Sequence, residues 1–340
     1  MQDLWKSQLS ADPTGWLLEP DNPGVRFLTL TEILDRPLDD PQVIAAQSDI
    51  WMIGPVPKFL ERQNPSGYWG KAQDFYIRSK YRGTVWSLIA LAELGAYGHD
   101  PRLARACDFI LAHSQEPVSG AFSYKSDDNG AGFQKRVLPC LSGNMIWCLI
   151  RFGYLQDSRV QQGIHWLVSS QRLDDGDQPP PDVWPYQGYE DCWGRHTCMM
   201  GIVKPLKALA EIPADQRSAE VQIAIQSAVE FLGRHHIYKS SRHPEQVANP
   251  DWLSFGFPLM WNTDALEMAW ILSRLGCRQS WMEDAVSLIL SKQGRDGRWL
   301  LESTYNGRFQ VMIEKRNKPS KWVTLHALQV IKHYYSDTTV

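Results

Sequence analysis

Five segments of the chain are apolar on nearly every side of a helix, and they alternate with more polar helical segments. The apolar segments are residues 80–95, 138–153, 196–212, 262–276 and 321–335. A helix that lacks a polar face is buried on most sides, so these segments are predicted to form an inner layer. Segments such as residues 101–114 carry more polar side chains and are predicted to form an outer layer.

A recurring turn separates each outer segment from the next inner one. It consists of an apolar helical end, a glutamine, a glycine-containing turn and, in most copies, an aromatic residue. The anchor positions are Gln63, Gln115, Gln171, His235 and Gln293, which lie 52 to 64 residues apart. Repeats of two helices stack on their neighbours and bury a continuous core. The pattern therefore predicts an all-α protein in which five to six helical hairpins close into a double ring, an α/α toroid.

The domain organisation follows from the repeat. No linker divides the sequence, so we expect a single domain over residues 1–340, with the repeats at roughly 55–335. Residues 1–54 are expected to be an N-terminal extension or a first, atypical hairpin. The anchor glutamines are expected to bond backbone groups at helix ends. His235 and His236, at the fifth anchor, are interpreted as surface or packing residues.

Composition and charge exclude some classes of function. The 35 basic and 38 acidic side chains give a net charge of -3, which disfavours a nucleic-acid binder. The six cysteines, in a chain without a recognisable secretory signal, favour thiols or metal ligands over disulfides, and we expect a cytoplasmic protein. No apolar run reaches the roughly 18 residues of a membrane-spanning helix. No P-loop or G-x-G-x-x-G pattern occurs, so no nucleotide cofactor is indicated.

The turns also resemble a known family signature. Gln293, Gly297 and Trp299 match the "QW" motif of the squalene-cyclase and protein-prenyltransferase superfamily, and residues 63–69 match it closely. The resemblance covers roughly residues 55–335. It implies an α/α toroid with its site in a central cavity, at one end of the inner helices. The Asp-x-Asp-Asp motif of proton-initiated terpene cyclases is missing from the sequence.

Asp264 occupies the place nearest to that missing motif. Aligned in register, it would take the position of the proton-donating aspartate, without the flanking acids. A carboxyl group alone in an apolar helix has a raised pKa, which suits general acid–base catalysis near neutral pH. The alternative is a buried aspartate that bonds a neighbouring helix end.

A cluster of cysteines and a histidine is the second candidate site. Cys192, His196 and Cys198 lie within seven residues, and Cys140 begins the preceding inner segment. Thiolates and an imidazole are zinc ligands, so these four residues are a candidate Zn²⁺ site. The alternatives are buried inert thiols or a catalytic pair of Cys198 or Cys192 with His196.

Basic and aromatic residues at the starts of inner segments are candidates for substrate binding. Ring closure would bring the last inner helix beside the first, where a basic patch could hold an anionic head group. Aromatic residues at the same level could stabilise a cation. The residues concerned are Lys80, Tyr81, Arg82, Trp193, Trp261, Lys321 and Trp322.

Three functions remain open. The first is an enzyme that acts on a hydrophobic small molecule, such as an isoprenoid, in an apolar central cavity, with Asp264, His196 and Cys198 as catalytic residues. The second is a zinc-dependent transferase that acts on a thiol or peptide substrate. The third is a toroid without catalytic activity that binds a lipid or a protein. The sequence does not indicate an oligomeric state.

Overall fold

The computed structural model describes residues 4–98, 100–188, 190–194 and 197–336. Within these residues it contains fourteen α-helices, short 3₁₀ and π turns, and isolated β-bridges in place of strands. No helix in this part of the chain is long and apolar enough to cross a membrane.

Inner helices alternate with outer helices along the chain. The inner helices are α2 (Pro23–Leu28), α5 (Thr84–Glu93), α7 (Pro139–Arg151), α10 (Met199–Glu211), α12 (Ala265–Arg274) and α14 (Lys321–Tyr335). The outer helices are α3 (Pro41–Asp49), α4 (Pro55–Leu60), α6 (Pro101–His113), α8 (Ser158–Ser170), α11 (Ala219–Arg234) and α13 (Glu283–Ser291), and two single turns, α1 (Thr14–Leu17) and α9 (Glu190–Trp193), complete the set. All ten residues of α5 are buried, as the apolar pattern predicts.

From α5 to α14 neighbouring inner helices pack side by side, and every inner helix before α14 also packs on the outer helix that follows it. The most extensive pairing joins α7 and α10. Gly143 allows it, because a Cβ atom at this position would lie 2.4 Å from the backbone of Lys204 and Pro205. The two helices therefore run in backbone contact, which sets the spacing of the side chains at their ends.

The ring closes through its two ends. Helix α14 packs on α12 on one side and on α2 and the following π turn on the other. A Cβ atom on Gly24 of α2 would meet the Leu94 carbonyl oxygen at 2.5 Å and the Trp322 ring at 3.2 Å. Helix α2 thus lies between the end of α5 and the start of α14. The fold is the α/α toroid that the sequence predicts.

The anchor glutamines make the backbone contacts expected of them. Gln115 Nε2 donates to the carbonyl oxygens of Gly120 and of Arg159 on the next outer helix, at 2.9 and 2.7 Å. Gln63 makes the same pair of contacts. The indole of Trp69 donates to the Phe59 carbonyl oxygen at 2.8 Å. Each such turn ties consecutive hairpins together, and the structural prediction for these glutamines is confirmed.

Candidate functional site

Four buried charges fill the centre of the ring. Lys204 Nζ lies 2.6 and 2.7 Å from the two Glu267 carboxylate oxygens. Lys207 Nζ lies 2.5 Å from Glu93 Oε1 and 3.1 Å from Glu267 Oε1. None of the four side chains is more than 8% exposed. They form the central charge cluster, in which two cations face two anions.

The charges of the cluster depend on one another. Burial opposes ionisation of Glu267, but Lys204 and Lys207 outweigh it and lower the pKa of Glu267 to about 2. Burial and the charge of Lys207 together lower the pKa of the neighbouring His326 to about 3. His326 is therefore a neutral imidazole, stacked on the Trp270 ring with the centroids 5.0 Å apart.

The central charge cluster corrects the expectation of an apolar central cavity. The space beside Glu93, Lys207, Asp264, Glu267 and His326 measures about 10 Å³. That is about the volume that one water molecule requires. The four charges come from three inner helices, α5, α10 and α12, and they occupy the volume that a hydrophobic substrate would need.

Asp264 lies at the edge of this space and caps a helix. It is the N-cap residue of α12, and its Oδ1 accepts from the Glu267 N–H at 2.7 Å. Its Oδ2 accepts from the Gly256 N–H at 2.8 Å. Burial raises the pKa of Asp264 to about 7, although these two backbone donors oppose the shift. Both carboxyl oxygens are therefore engaged, and the residue corresponds to the structural alternative considered above.

Three cysteines meet where α7 and α10 begin. Cys198 is the N-cap residue of α10, and its Sγ accepts from the Gly201 N–H at 3.3 Å. The thiol of Cys192 donates to Cys198. Cys140, the second residue of α7, lies next to them, close enough for a thiolate at Cys198 to raise its pKa. We call Cys140, Cys192 and Cys198 the thiol cluster.

The three thiols differ in acidity. The Cys192 thiol and the backbone N–H groups at the start of α10 lower the pKa of Cys198. The pKa of Cys192 is raised, mainly because its thiol is the donor to Cys198. Burial raises the pKa of Cys140 to about 12. Among the three, Cys198 is therefore the residue that most readily becomes a thiolate.

Cys198 opens on a pocket of about 590 Å³, which we call the mouth pocket. The pocket lies between the start of α10, the end of α11 and the loop that follows α11. Its apolar lining residues are Met199, Met200, Phe231, Val247 and Trp252. Its polar lining residues include Asp175, His235, Ser240, Ser241, Arg242 and Asn249. A pocket lined by both apolar and polar side chains fits an amphiphilic small molecule.

The thiol cluster has the donor chemistry of a zinc site but does not complete one within the described residues. Among those residues no group of three or more His, Cys, Asp or Glu side chains has the arrangement of a metal site. His196, the fourth predicted ligand, lies between Cys192 and Cys198 in the sequence and outside the described residues. A ligand set for Zn²⁺ would therefore have to include His196.

The predicted substrate-binding residues Lys80, Tyr81 and Trp261 form a packed group at ring closure. Lys80 Nζ lies 5.0 Å from the Trp261 ring centroid and 5.5 Å from that of Tyr81. The Trp261 indole N–H donates to the Tyr81 hydroxyl at 3.3 Å. Arg82 Nε donates to the Arg308 carbonyl oxygen at 3.1 Å. These contacts hold the side chains against one another, and none of these residues lines the mouth pocket.

The other predicted substrate-binding residues, Lys321, Trp322 and Trp193, also make structural contacts. Lys321 binds the carboxylates of Glu19 and Asp21 and is 6% exposed. Trp322 stacks on Phe257, with the ring centroids 4.7 Å apart. Trp193 is buried beneath Trp166 and Tyr186. None of the three lines the mouth pocket.

Lys204, Lys207 and Glu267 were not among the residues that the sequence singled out. Their sequence signal is the occurrence of Lys and Glu inside helices that are otherwise apolar, in residues 199–211 and 265–274. Charged side chains are seldom fully buried unless they are paired, so such charges indicate partners on a facing helix. His235 was interpreted as a surface or packing residue, yet it lines the mouth pocket together with Asp175.

Comparisons with known proteins give structural similarities only. No protein-family model and no curated protein matches the sequence. The structure is similar to a variant of the type II terpene cyclase MstE from Scytonema in complex with geranylgeranyl dihydroxybenzoate, with a TM-score of 0.44 and 14% identity over 93% of this chain and 86% of that one. A crystal structure of a protein from Actinoplanes gives a TM-score of 0.43 and 13% identity over 94% and 90% of the two chains. At such low identity, function has to be inferred from the site.

Proposed function

We propose that the protein is an enzyme that acts on a hydrophobic small molecule, such as an isoprenoid, at the mouth pocket. The observation that carries this proposal is the position of Cys198. Its sulfur caps the start of a 13-residue helix, and the residue lines a pocket of about 590 Å³ that also contains Met199, Phe231 and Trp252. The reactive group and the binding surface thus belong to one site.

The local electrostatics prepare Cys198 for chemistry. Helix N-termini stabilise a thiolate through their unpaired N–H groups and the helix dipole. The hydrogen bond from Cys192 is the main cause of the lowered pKa of Cys198, and the backbone N–H groups of Gly201 and Met200 add to it. A low pKa makes a cysteine either a better nucleophile or a better metal ligand at neutral pH.

A zinc ion held by Cys192, His196 and Cys198 is part of the proposal. This donor set, with two sulfurs and one imidazole, fits Zn²⁺ by ligand type and leaves a fourth position open. Bound there, the metal would supply Lewis acidity for a substrate oxygen or a water molecule. Cys198 would place the metal beside the pocket, and the apolar residues Phe231 and Trp252 would hold the substrate and exclude water.

The first test combines metal content with turnover. Elemental mass spectrometry of freshly purified protein is expected to find about one zinc per chain, and Cys192→Ala or His196→Ala is expected to lose it. The protein is then incubated with isoprenoid alcohols, isoprenoid diphosphates and medium-chain acyl thioesters, and products are sought by mass spectrometry.

Two variants separate the site from the fold. Cys198→Ser keeps a good N-cap residue and is expected to abolish turnover. Cys277→Ala is the matched control, because Cys277 is a buried thiol outside the mouth pocket, and it is expected to retain turnover. Full turnover in Cys198→Ser would overturn the proposal. A ligand that binds and leaves unchanged would favour the binding toroid instead.

A further inference from the structure

Two loop segments at ring closure carry much of the positive charge of the chain. The segment 71–82, which precedes α5, contains Lys71, Arg78, Lys80 and Arg82. The segment 308–318, which precedes α14, contains Arg308, Lys315, Arg316 and Lys318. All eight basic residues are exposed. With two acidic residues between them, the two segments have a charge of +6 in a chain whose net charge is -3.

The two segments are in direct contact and form one surface. Arg82 Nε donates to the Arg308 carbonyl oxygen at 3.1 Å, and Gln310 Nε2 donates to the Arg82 carbonyl oxygen at 2.6 Å. Beneath these contacts the Tyr81 ring stacks on the Tyr305 ring, with the centroids 4.3 Å apart. The positive charges of both segments are therefore held together by the closure of the ring.

The acidic side chains of these segments bind backbone groups instead of the basic side chains. Asp74 Oδ1 accepts from the Arg78 N–H at 3.0 Å, and Glu314 Oε1 accepts from the Lys321 N–H at 2.8 Å. Among the described residues, none of the eight basic side chains forms an ion pair, whereas nearby Lys292 does, with Glu302. A dense group of like charges without carboxylate partners is typical of a surface that meets an anionic partner.

Exposed apolar side chains accompany these charges. Ile77 is 52% exposed and Met312 is 57% exposed. The aromatic side chains of the two segments are buried, so they offer no stacking platform for the bases of a nucleic acid. Aliphatic side chains among cations are the composition of a surface that lies on anionic lipid, because the cations meet headgroups and the apolar groups enter the interface. We call the eight basic residues, together with Ile77 and Met312, the basic surface.

We propose that the basic surface binds the anionic headgroup layer of a lipid bilayer, with the side chains of Ile77 and Met312 inserted between headgroups. The surface precedes α5 and α14, and the mouth pocket lies at the start of α10. Both therefore lie at the end of the ring where the inner helices begin, and bilayer binding turns this end toward the lipid. The inference goes beyond the function proposed above and does not depend on it.

Co-sedimentation of the full chain with vesicles tests the proposal directly. Vesicles of phosphatidylcholine and phosphatidylglycerol in equal parts are expected to bind the protein, and vesicles of phosphatidylcholine alone are not. Binding is expected to weaken as sodium chloride is added, because ions screen the attraction between the surface and the headgroups. No binding to the anionic vesicles at low salt would overturn the proposal and would favour an acidic protein as the partner of this surface.

A pair of charge variants locates the binding. Lys315→Gln combined with Lys318→Gln is expected to lower the vesicle partition coefficient by about 30-fold, since each basic side chain near an anionic surface contributes about fivefold. Lys58→Gln combined with Arg105→Gln is the matched control, because these exposed residues lie on the outer helices α4 and α6 and the change in net charge is the same. Equal losses in the two double variants would show that net charge controls binding, and would overturn the assignment to the basic surface.

A second pair tests the inserted side chains. Met312→Gln keeps the length of the side chain and is expected to lower the partition coefficient by about 10-fold, because a polar amide replaces an apolar group that leaves water. Met52→Gln, at a residue that is 77% exposed and outside the basic surface, is expected to bind as the unaltered protein does. Full binding by Met312→Gln would overturn the insertion. None of the residues exchanged in these variants lines the mouth pocket, so turnover without vesicles is expected to persist in all of them.

Discussion

The centre of the ring and its mouth both contain buried ionisable side chains, but they use them differently. In the central charge cluster every charge faces an opposite charge, and about 10 Å³ remains. At the mouth, Cys198 lines a pocket of about 590 Å³. A reactive group requires both a shifted proton affinity and access to a substrate.

The comparison shows why a perturbed pKa alone is a poor guide to an active site. Glu267 and His326 have strongly shifted pKa values, yet both are buried in the core beside a space of only about 10 Å³. The pKa of Cys198 is lowered less conspicuously, but this residue lines the mouth pocket. The centre stabilises one arrangement of helices, and the mouth is where chemistry has room.

Removing one charge from the centre is expected to give the largest loss of stability. Lys207→Met leaves Glu93 buried without a cation, which costs about 3–5 kcal/mol of the free energy of unfolding. Chemical denaturation measures this loss. Lys292→Met, which breaks the partly exposed pair with Glu302, is the control and is expected to cost under about 1 kcal/mol. Equal losses in the two variants would show that burial does not increase the contribution of the central charges to stability.

Asp264 is expected to make the protein more stable in mild acid. Its pKa is about 7 in the folded state against a reference of 3.8, so the folded state binds the proton more tightly. The contribution is complete below pH 3.8 and is lost as the pH rises to about 7. A shift of this size corresponds to about 4 kcal/mol. Denaturation at several pH values should show this slope, and Asp264→Asn should remove it while turnover persists. If Asp264→Asn folds but has no turnover, Asp264 is a catalytic residue after all.

The fold was predictable because its signals are local and repeated. Gln63, Gly67 and Trp69 mark a turn by their types and spacing alone, and the structure shows the backbone contacts that such residues make. The filling of the centre was not predictable in the same way. Whether Lys204 meets Glu267 depends on the rotation of α10 against α12, and the apolar periodicity of each helix constrains that rotation only loosely.

Thiol reactivity is expected to distinguish the mouth from the core by about 100-fold in rate. After removal of metal by a chelator, iodoacetamide at neutral pH should modify Cys198 first. Burial raises the pKa of Cys148 well above its usual value, so this thiol should remain unmodified. Peptide mass mapping over time measures both rates. Zinc added before the reagent should protect Cys198, and modification of Cys148 at a similar rate would contradict the assigned acidities.

The smallest effect is expected at an anchor glutamine. Gln115→Ala leaves the carbonyl oxygens of Gly120 and Arg159 without their donor, which costs about 1–3 kcal/mol. Gln156→Ala, at an exposed glutamine that bonds only the side chain of Gln216, is the control and should change stability by less than about 0.5 kcal/mol. Thermal denaturation of both variants measures the difference.

The candidate site was predictable in part. The residue types and spacing of Cys192 and Cys198 were enough to select them, since both lie on one short segment. His235 was interpreted as a packing residue because it replaces a structural glutamine. Its contact with Asp175, whose Oδ1 lies 3.3 Å from the His235 Nε2, joins two different loops. Contacts between loops depend on loop conformation, which residue types alone do not determine.

The closure of the ring also has a consequence for biosynthesis. Helix α2 packs between the end of α5 and the start of α14, so Gly24 and Trp322 are neighbours in space. The ribosome makes these two residues almost 300 positions apart. While the chain is still being translated, the inner face of α2 has no permanent neighbour on the α14 side. The toroid can close only after its last helix has left the exit tunnel, so the nascent chain must keep an apolar seam from aggregating until then.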